Sequence, residues 1–226
     1  SIPEEAFEGT VEGAYFKSEM AAVRSQGRIC RVPILGVPIY TTWDLGVGDA
    51  MSITFWQDVG LEKRAIDYYE NSGEGFAHYA KVLSGNIEGG EHRKAYNYSE
   101  HRMPHDVEHR SLGKEAKSRR AHAEECGIKP IRTVPRIAAE ADGIAASRAF
   151  LPNVYFDEVR CARLIDCVDQ YRKEWDDRYK IFKDKAVHDQ FSNGYKSFET
   201  AAVSRPVAPP KPAPVTPPKT VMVAGR

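Results

Sequence analysis

Three aspartates stand where a backbone element ends or begins, and their chemistry suits a hard cation. Asp44 closes the apolar run Val37–Trp43 inside PIYTTWDLGVGDAMSITFWQ, residues 38–57. A Gly46–Gly48 turn carrying Asp49 follows, then an alternating run from Met51 to Gln57, so the stretch reads as strand, carboxylate, turn and returning strand. Asp106 ends the word RMPHD, and Asp189 opens the last helical pattern of the chain. A carboxylate delivered by a buried strand is costly to desolvate unless it meets a positive partner. Mg²⁺ or Mn²⁺, which take oxygen ligands, are the simplest such partners. The competing account is local, because an Asp beside glycines makes an Asx turn; for Asp49 that account is the better one. His101, His105 and His109 recur every fourth residue, but Pro104 breaks the helix that would align them for zinc, and no H-E-x-x-H word occurs. His105 and His188 each precede an aspartate and are placed either to contact water or phosphate or simply to lie on the surface.

The elements that must position these groups follow from periodicity. Residues 11–28 carry a helical stripe of Phe16, Met20 and Val23. Three strands, Val37–Asp44, Met51–Gln57 and Ala65–Tyr69, are separated by gaps short enough to imply an antiparallel meander. Gly75–Leu83 reads as a helix, Arg102–Asp106 as a strand, Ser111–Cys126 as a charged helix capped by Gly127, and Ile128–Val134 as a strand. Ala138–Phe150 and Glu158–Tyr171 read as helices, Trp175–Lys185 as a hairpin and His188–Ala202 as a final helix. From Arg205 on, RPVAPPKPAPVTPPKTVMVAGR is too rich in proline for helix or sheet and is expected to be an extended, basic tail.

Composition bounds the function. The chain has 226 residues, 42% hydrophobic and 28% charged, enough for one good core. No apolar stretch approaches the ~18–20 residues of a membrane span. Cys30, Cys126, Cys161 and Cys167 form no C-x-x-C pair, which fits buried small residues in a reducing cytoplasm. The formal net charge is zero but unevenly spread: −6 over residues 1–90, +4 over 91–136, −2 over 137–204 and +4 over 205–226. A basic middle beside acids suits an enzyme that grips phosphates, with Lys114, Lys117, Arg119, Arg120, Arg136 and Arg148 as backbone contacts, although a solvated helix face gives the same pattern. No G-x-x-x-x-G-K-[ST] loop is present, so these residues are not expected to hydrolyse ATP.

The expected order, β-β-β-α-β-α-β-α-α with acids at 44, 106 and 189, resembles the ribonuclease H-like α/β fold, a mixed central sheet flanked by helices. There, three carboxylates converge at one sheet edge, where phosphodiester hydrolysis uses two ions roughly 4 Å apart. The words TTWDLGVGDAMSITFWQ, RMPHD, GIAASRAFLPNVYFDE and YRKEWDDRYKIFKDKAVHDQFS resemble the C-terminal nuclease domain of the large terminase subunit of tailed double-stranded DNA bacteriophages, and SIPEEAF resembles the junction after that subunit's ATPase. The resemblance covers about residues 1–200. It implies a Mg²⁺- or Mn²⁺-dependent endonuclease, with a pair of ions, that cuts concatemeric viral double-stranded DNA during genome packaging in the host cell cytoplasm. It also implies an ATPase domain in the full-length chain, and a portal and a small terminase subunit as partners. On this basis residues 1–33 are expected to be an extension after the ATPase domain, 34–203 the nuclease domain and 204–226 a disordered tail. Asp44 matches the first catalytic acid and Asp106 the second. For the third, relatives continue HDWSSHAADAF where this chain has HDQFSNGYKSF, so Lys196 stands at an acid's place and Asp189 is the preferred substitute, ahead of Asp184 and Asp49. Lys196 also motivates a rival, a docking module acting through the tail and the acidic N-terminal third; a further alternative is a Holliday-junction resolvase or exonuclease on the same fold.

Overall fold

The structure is a computed structural model that describes residues 11–46, 50–86, 95–110 and 117–204. Among the described residues, six α-helices, α1 (Lys17–Ser25), α2 (Phe76–Ser84), α3 (Arg119–Glu125), α4 (Glu140–Phe150), α5 (Ala162–Gln170) and α6 (Ser192–Val203), accompany nine strands. The strands are β1 (Ile29–Cys30), β2 (Ile39–Asp44), β3 (Ala50–Val59), β4 (Glu62–Ser72), β5 (Tyr98–Pro104), β6 (Ile131–Val134), β7 (Val154–Asp157), β8 (Lys173–Asp176) and β9 (Ile181–Ala186). Seven of them form one sheet in the order β1-β7-β4-β3-β2-β5-β6, and β8 and β9 pair separately as a hairpin. The meander β2-β3-β4 is antiparallel, whereas β5 joins β2, β6 joins β5 and β7 joins β4 in parallel. This is the ribonuclease H-like α/β architecture, a mixed sheet between helical layers.

Successive residues point to opposite faces of a strand, and the two cores sort accordingly. Ile39 and Trp43 of β2 join Ile53 and Phe55 of β3 under Phe76, Tyr79 and Val82 of α2. Tyr40, Trp56 and Tyr68 face the other way, under Phe16 and Met20 of α1, Leu164 and Val168 of α5, and Tyr195 and Phe198 of α6. On β2 the alternation puts Thr42, and Asp44 after it, on the α6 face.

Several expectations shift. Within the described residues, 11–33 pack with the sheet: Phe16, Met20 and Val23 are buried in the shared core, β1 pairs with β7, and Arg28 donates to the Leu151 and Val154 carbonyls at 2.7 Å. The expected helix from Glu158 begins at Ala162, because Asp157 accepts from the amides of Val159 and Arg160 and turns the chain there. The strand expected to end on Asp106 ends at Pro104, and Asp106 sits in a 3₁₀ turn, His105–Glu108. The charged helix is described only from Lys117, and the proline-rich tail and Asp49 lie outside the described residues.

Candidate active site

Asp44 and Asp106 are brought together by the parallel pairing of β2 with β5, in which Thr42 lies opposite Arg102. Two residues past that register the two strands stop side by side, and each delivers its aspartate at the same end of the sheet. Arg119, at the start of α3, ties the two ends. Its Nη1 donates to Asp106 Oδ2 at 3.2 Å and to the Leu45 carbonyl at 3.5 Å, and its Nη2 donates to the Gly46 carbonyl at 3.3 Å. The other Asp106 oxygen, Oδ1, is buried and has no hydrogen-bond partner among the described residues. Among the described residues, no donor bonds the Asp44 carboxylate either. Burial first, and then the charge of Asp106, push the Asp44 pKa up to about 7, while Lys196 and His188 act to lower it and Glu199 to raise it.

The third wall is α6, held against the sheet by a polar seam. Thr42 Oγ1 donates to the Ser197 carbonyl at 2.7 Å and accepts from the Trp56 indole at 2.8 Å. Ser52 Oγ donates to the Asn193 carbonyl at 2.8 Å, Thr54 Oγ1 meets Ser197 Oγ at 2.8 Å, and Thr200 Oγ1 donates to the Trp43 carbonyl at 3.1 Å. These bonds set Lys196 and Glu199 beside Asp44 in a cleft of about 350 Å³, whose lining also includes His105 and Arg136. Glu199, a buried residue only 6% exposed, accepts from Lys196 Nζ at 2.8 Å and from Tyr195 Oη at 3.2 Å. Gly143 on α4 leaves room for it, since a Cβ there would collide with its carboxylate. A larger cavity of about 600 Å³ borders α2 and β5, lined by Tyr96, Tyr98, Cys126 and Lys129 among others, with no carboxylate among its described lining residues.

The remaining expected site residues scatter. Asp189 lies three residues before α6, where Arg172 pairs with it at 2.9 Å and the Phe191 amide donates to it at 2.9 Å. Asp184 is exposed on β9. Among the described residues no three His, Cys, Asp or Glu side chains are placed to hold one metal ion together, so 44, 106 and 189 do not form the expected three-carboxylate seat. The physical reason is local: the turn before α6 and Arg172 both use the Asp189 carboxylate. Lys117 pairs with Glu125, Arg120 with Glu108 and Glu124, and Arg148 with Glu19, while Lys114 lies outside the described residues. His188 Nδ1 meets Ser192 Oγ at 3.1 Å, and the His105 ring stands edge-on to His109. His101, from the weighed zinc spacing, is buried against Thr41 with its pKa lowered to about 4 by burial. Glu199 was not singled out from sequence, although its helical spacing of three from Lys196 places both on one face of α6.

Two half-buried carboxylates, one with an oxygen that has no partner among the described residues and one held far above its usual pKa, fit a cation that takes one or two carboxylates and completes its shell with water, as Mg²⁺ does. Neither a protein-family model nor a curated protein matches this chain by sequence. Solved structures match it in shape. A large terminase from a thermophilic bacteriophage superposes with a TM-score of 0.54 at 17% identity, over 77% of this chain and 41% of that one. The large terminase nuclease of the thermophilic phage G20c, crystallised with cobalt, gives 0.51 at 11% identity, over 85% and 97%. The nuclease domain of g2p, the large terminase of bacteriophage SPP1, with bound Mn, gives 0.50 at 14%, over 76% and 93%. The ribonuclease H-like fold of this chain is therefore the one found in large terminase nuclease domains, and the chain spans about two fifths of the length of the first of these terminases.

Proposed function

We propose that this chain is the nuclease part of a phage large terminase, a divalent-cation-dependent endonuclease that cuts concatemeric double-stranded DNA during packaging. The observation that carries the proposal is the pairing of Asp44 with Asp106 at the joined ends of β2 and β5, where Asp106 Oδ1 has no hydrogen-bond partner among the described residues. Mg²⁺ or Mn²⁺ held by these two acids would supply positive charge against the phosphodiester and acidify water. The chain's own part is to hold the acids ready, and Arg119 does so by fixing Asp106 and the backbone after Asp44. Arg136 and His105 on the cleft rim, with His188 just before α6, are placed for backbone phosphates, contacts that position DNA without reading its sequence. Support for the class comes from the fold and from neighbours solved with Co, Mn and Mg. The ATPase, the portal and small-subunit partners, and action in the host cytoplasm belong to the same proposal.

The test is Asp44→Asn. In Mn²⁺ the variant is expected to lose plasmid cleavage by at least about 100-fold, the scale on which such groups act, with an unchanged circular dichroism spectrum. Full cleavage by a folded Asp44→Asn protein would end the metal assignment.

A further inference from the structure

The cleft contains a fixed positive charge, and this changes how many ions it has room for. Of the carboxylates that line it, Glu199 has one oxygen on Lys196 and Glu140 accepts from the Tyr171 hydroxyl and the Ala186 amide, while Asp106, beside Asp44 at the sheet end, has one oxygen on Arg119. What remains for a cation is Asp44 and the orphaned Asp106 Oδ1. Lys196 is not a loose surface lysine. Its ammonium is bonded to Glu199, whose side chain is only 7% exposed, and it lies 5.5 Å from the Tyr195 ring centroid and 5.7 Å from that of Tyr171. Glu199 is itself backed by Tyr195 Oη. The Lys196 side chain keeps 32% of its surface open, so a ligand in the cleft can reach the ammonium. A long, flexible side chain gives up much rotamer freedom to be held this way, and what the arrangement achieves is a cation aimed at the space beside Asp44.

We propose that Lys196 takes the part of a second metal ion: the cleft seats one divalent cation, at Asp44 and Asp106, and the Lys196 ammonium binds a phosphate oxygen of the DNA backbone beside it. This rests on the nuclease proposal above and replaces the expected ion pair with one ion and one ammonium. A second divalent ion placed against Lys196 would meet a like charge and a Glu199 whose oxygens are already engaged.

The experiment counts ions in the full chain without DNA, by electron paramagnetic resonance of free Mn²⁺ during titration. The wild type is expected to hold one Mn²⁺, Lys196→Gln one and Lys196→Asp two, with Asp44→Asn losing the site. In parallel, Lys196→Gln is expected to weaken binding of duplex DNA in Ca²⁺ by about tenfold and to lower the salt slope by about one. Two ions in the wild type would overturn the proposal while leaving the nuclease assignment standing. No ion in the wild type would overturn both, and the two failures are told apart by the count itself. The wild-type number decides the matter even if Lys196→Asp does not fold.

Discussion

Asp44 holds its proton in the fold over a range in which an unfolded chain would have lost it. Its pKa is pushed up to about 7 by burial and by Asp106, against about 3.9 when unfolded. Between those values the native state binds more protons than the unfolded state, so the contribution of Asp44 to stability is fully present below about pH 4, declines as pH rises and is gone above about 7. Asn carries no such dependence. In EDTA, Asp44→Asn is expected to melt close to the wild type near pH 4 and progressively above it towards pH 8, by several degrees, as followed by calorimetry. Comparison at each pH cancels other titrations, including that of buried His101. Saturating Mn²⁺ at pH 8 is expected to narrow the gap by stabilising the wild type alone. A gap that does not change with pH would show that Asp44 is solvated like a surface acid. At this scale the sequence was legible where a carboxylate followed an apolar run, as at Asp44. It was less so at Asp189, where helix periodicity marked the region but could not show that Arg172, seventeen positions earlier, would take the carboxylate.

At the scale of elements, α6 decides the site, and its seating depends on a close approach to α5 and β4. A Cβ at Gly194 would collide with Cys167 of α5 and with the Tyr68 hydroxyl of β4. Gly194→Ala is therefore expected to cost about 1–3 kcal/mol, the usual penalty of overpacking, read as a lowered urea midpoint together with weaker Mn²⁺ binding. Gly75→Ala, at the α2 N-cap with nothing within 4 Å of the added carbon, is the control and is expected to shift the midpoint little. Periodicity located the meander, α2, α4 and α6 well because each carries enough apolar positions to define a face. It missed β1 and β7, which are two and four residues long, too short for an alternation to register. It also extended the helix from Glu158, since Asp157 interrupts that pattern through side-chain bonds to the backbone rather than through a glycine or proline.

At the scale of the whole molecule, the sheet is continued beyond β4 by β7 and β1, and residues 11–33 are part of the body that they precede in sequence. Arg24 pairs with the buried Asp169 of α5, and the Phe16 ring packs on Tyr171 and Tyr195. A truncation that starts at residue 34 removes buried apolar side chains, Phe16, Met20 and Val23 among them, and takes away the Arg24 partner of Asp169. Each loss is worth a few kcal/mol, comparable with the whole stability of a domain. That truncation is expected to be insoluble or molten, whereas the full chain is expected to melt cooperatively; near-ultraviolet circular dichroism and a thermal scan distinguish them. The hydroxyl seam beneath α6 has a further consequence. An apolar helix face can slip along a sheet with little change in contact area, but directional bonds from Thr42, Ser52, Thr54 and Thr200 are each satisfied at one axial position. A ratchet of one helical turn, about 5.4 Å, would break all four together, so the wall that α6 gives the cleft is keyed to a single axial register, and the groups it carries keep their height along the sheet.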